Sequence, residues 1–399
     1  MPGPTAIDDR TRPGGQTLPS TEAQPPPDEA AVSTPGGALS RLWERLAALP
    51  TWCFVAWVAA LLVVRSGVSW SGFDELVTFA RDFPHPGPTF RSNAVLGPTL
   101  AWATQMHSPD RWVALHAIVT LGWFVATAWL LRRAVGSARR WRVALVWLAF
   151  VSTPTSLLRH LGSYDVYTLW GAVLIALGGT PATALLGGAL LGATNAEQGL
   201  LAIVCGAAVH WALTATSDPE PDPTGAPRQS RSIAAVFGPA IAGLVLARLA
   251  VLIWFARLDA TVQGRSGAFG QLLQDSLTNA VSLGGTGAYS WLAAGWVVVA
   301  GVLWHLRTHP ARWLVAALGL IVVPAAATVT TLDGSRVFCA VSSVAVLLAM
   351  VRLTERVDRP DGEWMLRGAA LLMVAGILLP ALNTTYRGGI RIPWRFFLV

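Results

Sequence analysis

Two adjacent carboxylates, Asp74 and Glu75, follow the first long apolar run of the chain and are well placed for chemistry. They belong to the segment Trp70–Leu76, where a predicted membrane helix has just ended. A carboxylate at a membrane surface can accept the proton of a hydroxyl group and act as a general base. The alternative is structural, because carboxylates also stabilise a helix N-terminus, here that of a predicted helix ending at Arg81.

A second candidate is the segment Thr331–Arg336, which lies between two later apolar runs and contains Asp333. A guanidinium can hold phosphate through two parallel hydrogen bonds, so Arg336 is the first candidate for binding a phosphate group. The alternative is a surface turn in which Asp333 and Arg336 form a local ion pair. The sequence leaves both interpretations open.

Asp165, flanked by Tyr164 and Tyr167, is predicted near the same membrane surface as Asp74. Carboxylates accept hydrogen bonds from sugar hydroxyl groups and aromatic faces cover sugar rings, so Asp165 and Asp74 are candidates for lining a sugar pocket. Alternatively, Asp165 caps a helix and the tyrosines belong to an interfacial aromatic belt.

Four further residues are candidates for binding a substrate. Arg248 lies well inside an apolar run and Arg65 lies near the end of the first one, so either could reach a lipid phosphate or could snorkel to headgroups. Glu197 lies between two short apolar runs, where it lines a polar cavity or satisfies a broken backbone. His85 could assist proton transfer, or it is an ordinary solvated loop residue.

The sequence requires no metal or other cofactor. Mg²⁺ or Mn²⁺ could bind if Asp74, Glu75 and Asp165 converge. The cysteines lie in or beside apolar runs without metal-ligand spacing. There is no glycine-rich phosphate loop, Ser-His-Asp pattern or zinc-binding helix, which argues against a nucleotide-driven pump and a hydrolase of the soluble type.

The composition identifies the class of protein. The chain is 53% hydrophobic and 13% charged, and its apolar runs of about 20 residues match the roughly 30 Å hydrocarbon core of a bilayer. All basic side chains other than histidine are arginine, and they follow membrane topology more than a nucleic-acid surface. We therefore expect an all-α polytopic membrane protein with about eleven transmembrane helices and no nucleic-acid partner. The predicted spans lie at 52–69, 111–132, 142–158, 164–178, 181–194, 199–214, 232–256, 288–306, 312–331, 336–353 and 366–382.

The arginine distribution predicts orientation and organisation. Residues 1–45 are expected to be a disordered cytoplasmic tail, without a cleavable signal peptide, followed by a transmembrane module at 46–290 and C-terminal helices with an external tail at 291–399. External loops are predicted at 69–110 and 257–288, each with an interfacial helix. Residues 218–231 are predicted to be a cytoplasmic linker.

The acidic pair after the first span, together with the two long loops after spans one and seven, resembles the GT-C superfamily of integral-membrane glycosyltransferases. The resemblance implies transfer of a sugar from a polyprenyl-phosphate carrier to a glycan, lipid or protein acceptor at the outer face, by an inverting single displacement. It assigns the general base to Asp74 first and to Glu75 second. Two other functions remain open: a membrane transporter or flippase, and an outer-face glycan ligase or polymerase.

Overall fold

The computed structural model describes residues 35–70, 73–214, 232–262, 278, 284–285, 287–329, 334–379, 381–384 and 390–391. Several predictions fall outside this part of the chain: residues 1–34 of the tail, the 218–231 linker, most of the second loop with its amphipathic helix, and Asp333. Within the described part the protein is helical, apart from one antiparallel pair of two-residue strands, β1 (Asn383–Thr384) and β2 (Ile390–Arg391). The all-α membrane class is therefore confirmed.

Sixteen α-helices cover most of the described residues, in agreement with the apolar runs of the sequence. Their bounds are α1 Pro35–Ala47, α2 Thr51–Ser66, α3 Asp74–Arg81, α4 Leu96–Ala103, α5 Pro109–Val135, α6 Ala138–Phe150, α7 Ser152–Arg159, α8 Asp165–Leu177, α9 Pro181–Gly192, α10 Ala196–Thr214, α11 Ile233–Arg257, α12 Gly295–His305, α13 Pro310–Ala317, α14 Val323–Val329, α15 Gly334–Thr354 and α16 Glu363–Ala375. A π-helical segment, Leu318–Val322, joins α13 to α14.

Five of these helical segments, counting α13 to α14 as one, are long and apolar enough to cross a membrane. A sixth crossing results if α1 and α2, which bend by 114° at their junction, are counted together. The predicted number of eleven spans is not confirmed, although each predicted span contains helical residues. Several helices are too short to cross a bilayer alone, which takes about 20 residues. Breaks such as that at Val151, between α6 and α7, divide the apolar runs into these shorter helices.

The bundle has two ends that differ in composition. α2 begins beside Arg142, which donates to the carbonyl of Leu49, and it ends at Arg65 against Phe150, the last residue of α6. We call the end at Arg65 the first-loop face, because residues 67–108 follow from it. The opposite face carries the turns around residues 136–137 and 355–362, where Arg140 pairs with Asp358 at 2.8 Å.

The prediction of a disordered tail through residue 45 is wrong for its last part, because residues 35–47 form α1. Trp43 is fully buried and meets Phe54 edge-on at 6.2 Å. Ser40 donates to Glu363 at 2.8 Å and Glu44 pairs with Arg139 at 2.8 Å. A polar sequence orders here because one tryptophan and these polar contacts fix it to the bundle.

The predicted break within residues 181–214 is present, since α9 ends at Gly192 and α10 begins at Ala196. The first loop occupies the break, where the amide of Val95 donates to the carbonyl of Ala193 at 3.0 Å. The first loop, predicted to contain an interfacial helix, includes the eight-residue helix α4. At about 1.5 Å per residue this helix is far too short to cross a bilayer.

α9 and α11 pack with their backbones in close contact. A Cβ at Gly188 would overlap the carbonyl oxygen of Ala240, and a Cβ at Gly243 would overlap the carbonyl of Leu185. Small residues permit this approach between helices in a membrane, where packing and not the hydrophobic effect drives association. The contact fixes α11 beside the break that receives the first loop.

We predict that Gly188→Ala lowers the free energy of unfolding by about 1–3 kcal/mol, because the added methyl group must separate two backbones. Thermal unfolding in detergent measures the loss. Gly238→Ala on α11 is the matched control, since a Cβ there meets no atom within 4 Å, and it should leave stability unchanged or slightly higher. Equal melting temperatures for the two variants would contradict the close packing.

Candidate functional site

The first loop is tied to the bundle by the chain that links α7 to α8. The amide of Ser69 donates to Leu158 at 3.0 Å, and the amide of Leu161 donates to Ser69 at 3.1 Å. The Ser69 hydroxyl adds a hydrogen bond to the carbonyl of Arg159 at 2.6 Å. Residues 69 and 158–161 therefore lie side by side, and the start of the first loop has a fixed position on the first-loop face.

Phe73 continues this contact. Gly162 has φ +94°, a conformation that favours glycine, and a Cβ at this position would lie 2.7 Å from the Phe73 ring. The indole of Trp112 donates to the Gly162 carbonyl at 3.0 Å. Phe73 immediately precedes Asp74, and Gly162 lies three residues before Asp165, so the packing brings the two predicted acidic sites to the same part of the molecule.

Asp74 and Glu75 differ in their surroundings. Both lie in the first turn of α3 and both are exposed. Glu75 accepts a hydrogen bond from Thr89 at 2.8 Å and lies 3.7 Å from the guanidinium of Arg91. The Asp74 carboxylate has no hydrogen bond or ion pair with the described residues. Of the two carboxylates, Asp74 is therefore the one that no described side chain engages.

The buried Asp165 forms an ion pair with the partly buried Arg336. Arg336 Nε lies 2.5 Å from Asp165 Oδ2, and Arg336 Nη2 donates to the Ser163 hydroxyl at 2.6 Å. The Tyr164 ring covers the guanidinium, with 5.8 Å between Cζ and the ring centroid. Asp165 begins α8 and Arg336 lies in the first turn of α15, so the pair joins the N-termini of two helices. Asp333 lies outside the described residues, so the local Asp333–Arg336 ion pair stays a prediction.

Arg65 is buried more deeply than Arg336, with 1% of its surface exposed. Its Nε donates to the carbonyl of Leu379 at 3.0 Å, and its Cζ lies 5.0 Å above the Phe150 ring. Tyr289 approaches the same guanidinium, but neither Nη1 nor Nη2 makes a hydrogen bond of acceptable geometry. A buried guanidinium whose Nη groups lack partners is costly unless an anion approaches it.

Arg159, at the end of α7, completes the group. It is 5% exposed, and its Nε donates to the carbonyl of Ser66 at 2.8 Å. We name Arg65, Arg159, Arg336 and Asp165 the arginine centre. These residues lie at the ends of α2, α7, α8 and α15 that meet at the first-loop face, and they carry three guanidiniums and one carboxylate. This group of arginines makes the face a candidate site for a negatively charged ligand.

Sequence reasoning missed two features of this region. Arg159 directly follows a predicted span, which is equally typical of an exposed headgroup contact. The buried His116 contacts the Trp112 carbonyl through Nδ1 at 2.9 Å and the Tyr167 hydroxyl through Nε2 at 3.3 Å. The sequence signal that could have identified His116 is the position of a histidine inside an apolar run, where polar side chains are rare and often functional. The His116–Tyr167 pair packs beside α4, because a Cβ at Gly97 would lie 3.3 Å from both side chains.

The remaining predicted residues are separate from the arginine centre. Arg248 Nη1 donates to the side chain of Asn93 at 3.0 Å. Glu197 is exposed in the first turn of α10, and His85 is exposed in the first loop. Asp333 lies outside the described residues. Among the described residues, no group of three or more histidine, cysteine, aspartate or glutamate side chains could hold a metal ion.

Comparisons with models of known families, with curated proteins and with solved structures found no match for this chain.

We predict that Asp165→Ala and Arg336→Ala each lower the free energy of unfolding by about 3–5 kcal/mol, because each leaves a buried charge without its partner. The double variant should lose clearly less than the sum of the two. Unfolding in detergent, analysed as a double-mutant cycle, measures the coupling. Arg367→Ala, which removes an exposed pair with Glu363, should change stability by no more than about 0.5 kcal/mol. Additive losses would contradict a direct ion pair.

Proposed function

We propose that this protein is a membrane glycosyltransferase that moves a sugar from a polyprenyl-phosphate carrier to an acceptor hydroxyl. One observation carries the proposal: Phe73, the residue before Asp74, packs against Gly162 and so places Asp74 at the same end of the bundle as Arg65, Arg159 and Arg336. The Asp74 carboxylate has no hydrogen bond or ion pair with the described residues. Sugar transfer from a lipid phosphate needs these two groups, a base for the acceptor and a cationic site for the leaving phosphate. The short helices α3 and α4 of the first loop would lie at the membrane surface, where a lipid-linked donor is bound.

In the proposed reaction the Asp74 carboxylate takes the proton of the acceptor hydroxyl. The acceptor oxygen forms a bond to the anomeric carbon while the bond from that carbon to the phosphate oxygen breaks. The phosphate leaves with the bonding electron pair, and its negative charge is stabilised by guanidinium groups. The attack from the face opposite the leaving group inverts the anomeric configuration.

The hydrogen bonds favour Arg65 as the phosphate ligand. Neither of its Nη groups makes a hydrogen bond of acceptable geometry with the described residues, although Tyr289 approaches them, and two parallel donors match the geometry of a phosphate. Both atoms are buried, so the proposal requires the side chains around Arg65 to move when the phosphate binds. Arg336, the first candidate from sequence, is already bonded to Asp165 and Ser163, so we assign it the role of fixing α8 and α15 around the site. Direct binding of phosphate by Arg336 stays a prediction, since the ion pair with Asp165 does not test it.

We also propose that the first-loop face is external and that the N-terminus is cytoplasmic. The support is the charge of the opposite face, which carries arginines in its turns, as the positive-inside bias prefers. The arginines in or beside these turns are Arg132, Arg133, Arg139, Arg140, Arg307, Arg312, Arg352, Arg356 and Arg359. The proposed reaction then takes place at the outer surface of the cell membrane.

Single cysteines introduced into a variant that lacks Cys53, Cys205 and Cys339 test this orientation. In intact cells a membrane-impermeant thiol reagent should label Asp110→Cys on the first-loop face. It should label Ala138→Cys only after permeabilisation. Both positions are exposed, so accessibility reports the side of the membrane. The opposite pattern of labelling would place the first loop in the cytoplasm and overturn the orientation.

We predict that Asp74→Asn lowers sugar transfer by roughly 10²-fold or more, because asparagine keeps the shape but cannot accept the proton. Transfer is followed with a labelled polyprenyl-phosphate sugar donor in liposomes.

The matched control is Glu75→Gln, which should cost less, since Glu75 is already engaged by Thr89 and Arg91. Both variants must elute as monodisperse protein. Near-normal transfer by Asp74→Asn with a large loss in Glu75→Gln would move the base to Glu75. Near-normal transfer by both would remove the support for a glycosyltransferase and favour a transporter.

A further inference from the structure

Arg248 interrupts a lipid-facing stripe of α11. Ile241, Val245 and Leu252 share its face at intervals of three or four residues, and they are 41%, 45% and 46% exposed. Such exposure of large apolar side chains on a long apolar helix is typical of a surface in contact with lipid chains. Arg248 itself is half-buried, so its guanidinium lies where this stripe meets the protein.

Among the described residues, no acidic side chain balances the charge of Arg248. Its guanidinium donates to the neutral side chain of Asn93, and no carboxylate oxygen of a described residue lies within the 4.0 Å that defines an ion pair. An arginine at a lipid boundary normally pairs with an anion or reaches the headgroups. Here the hydrogen bond to Asn93, a residue of the first loop, holds the guanidinium against that loop.

The depth of Arg248 in the bilayer indicates which kind of lipid phosphate can reach it. α11 has 25 residues and is about 37 Å long, which exceeds the roughly 30 Å hydrocarbon core by about 7 Å. Arg248 lies nine positions before Arg257, the last residue of α11, so its Cα lies about 10 Å inside the hydrocarbon border if the helix is centred. A bilayer phospholipid has its phosphate above this border.

Aromatic rings close the site on the side of the first loop. Phe83 stacks on Trp102 with ring centroids 4.7 Å apart, and it contacts Trp254 of α11 at 5.3 Å. These rings fix the loop to the end of α11, above the level of Arg248. A ligand of Arg248 therefore approaches from the lipid side, along the apolar stripe.

We infer that Arg248 and Asn93 form a second site that binds the phosphate of a single-chain lipid, with its hydrocarbon chain along Ile241, Val245 and Leu252. A single-chain lipid phosphate can descend below headgroup level, whereas a two-chain phospholipid would also have to bury its glycerol esters. The identification of this lipid with the polyprenyl phosphate of the donor rests on the proposed function. The site is separate from the arginine centre and would hold the carrier before or after transfer.

The test uses the full chain in phosphatidylcholine nanodiscs and a polyprenyl phosphate that carries a photoreactive group on its chain. Crosslinking to α11 is quantified by mass spectrometry of peptides. Arg248→Gln should lower the yield about tenfold or more, because it removes a charge-assisted contact to phosphate. Arg257→Gln, at the exposed end of the same helix, is the matched control and should retain the yield of the unmodified protein.

Competition identifies the lipid. Unlabelled polyprenyl phosphate should displace the probe, whereas phosphatidylglycerol and inorganic phosphate at equal concentration should not. Displacement by phosphatidylglycerol would overturn the single-chain assignment, and unchanged labelling of Arg248→Gln would overturn the site. The proposed function can fail independently of the lipid site. If Arg248→Gln loses labelling but the unmodified protein transfers no sugar, the lipid site stands and its role in sugar transfer does not.

Discussion

The cost of burying arginine in a membrane bundle governs the structure of the first-loop face. A guanidinium in low-dielectric surroundings needs hydrogen bonds and a counter-charge. Arg336 obtains both from Asp165 and Ser163, and Arg159 bonds to the carbonyl of Ser66. These contacts join α8 to α15 and α7 to α2. The polar groups thus act as the links between helices whose apolar surfaces alone would specify their mutual position poorly.

Arg65 differs from Arg336 and Arg159, because fewer of its guanidinium nitrogens make hydrogen bonds within the protein. The Leu379 carbonyl and the Phe150 ring contact its guanidinium and Tyr289 approaches it, but neither Nη group makes a hydrogen bond of acceptable geometry with the described residues. Asp74, at the start of α3 on the same face, has no hydrogen bond or ion pair with the described residues. In the proposed function, Arg65 would bind the phosphate and Asp74 would accept the proton at this end of the bundle, while Glu75 and Asp165 are engaged by other side chains.

The sequence predicted the helices well and their partners poorly. Apolar runs locate each long helix because the bilayer imposes the same length and polarity on all of them. The ordering of α1 escaped notice because it depends on the burial of Trp43 and on contacts with residues more than 90 positions away. Asp165 and Arg336 were both candidates, but their pairing spans 171 residues and has no local signal. Arg159 could not be distinguished from a headgroup contact, since burial is a property of the packed bundle.

The central claim is that the arginine centre binds the phosphate of a lipid-linked donor through Arg65, with Asp74 facing the acceptor side of the sugar. A cryo-electron microscopy structure with a hydrolysis-resistant polyprenyl-phosphonate sugar analogue tests it most directly. The account predicts that the phosphonate oxygens lie within hydrogen-bond distance of Arg65 Nη1 and Nη2, with the Asp165–Arg336 pair intact. A phosphonate bound to Arg336 with Asp165 displaced, or bound away from the first-loop face, would contradict it.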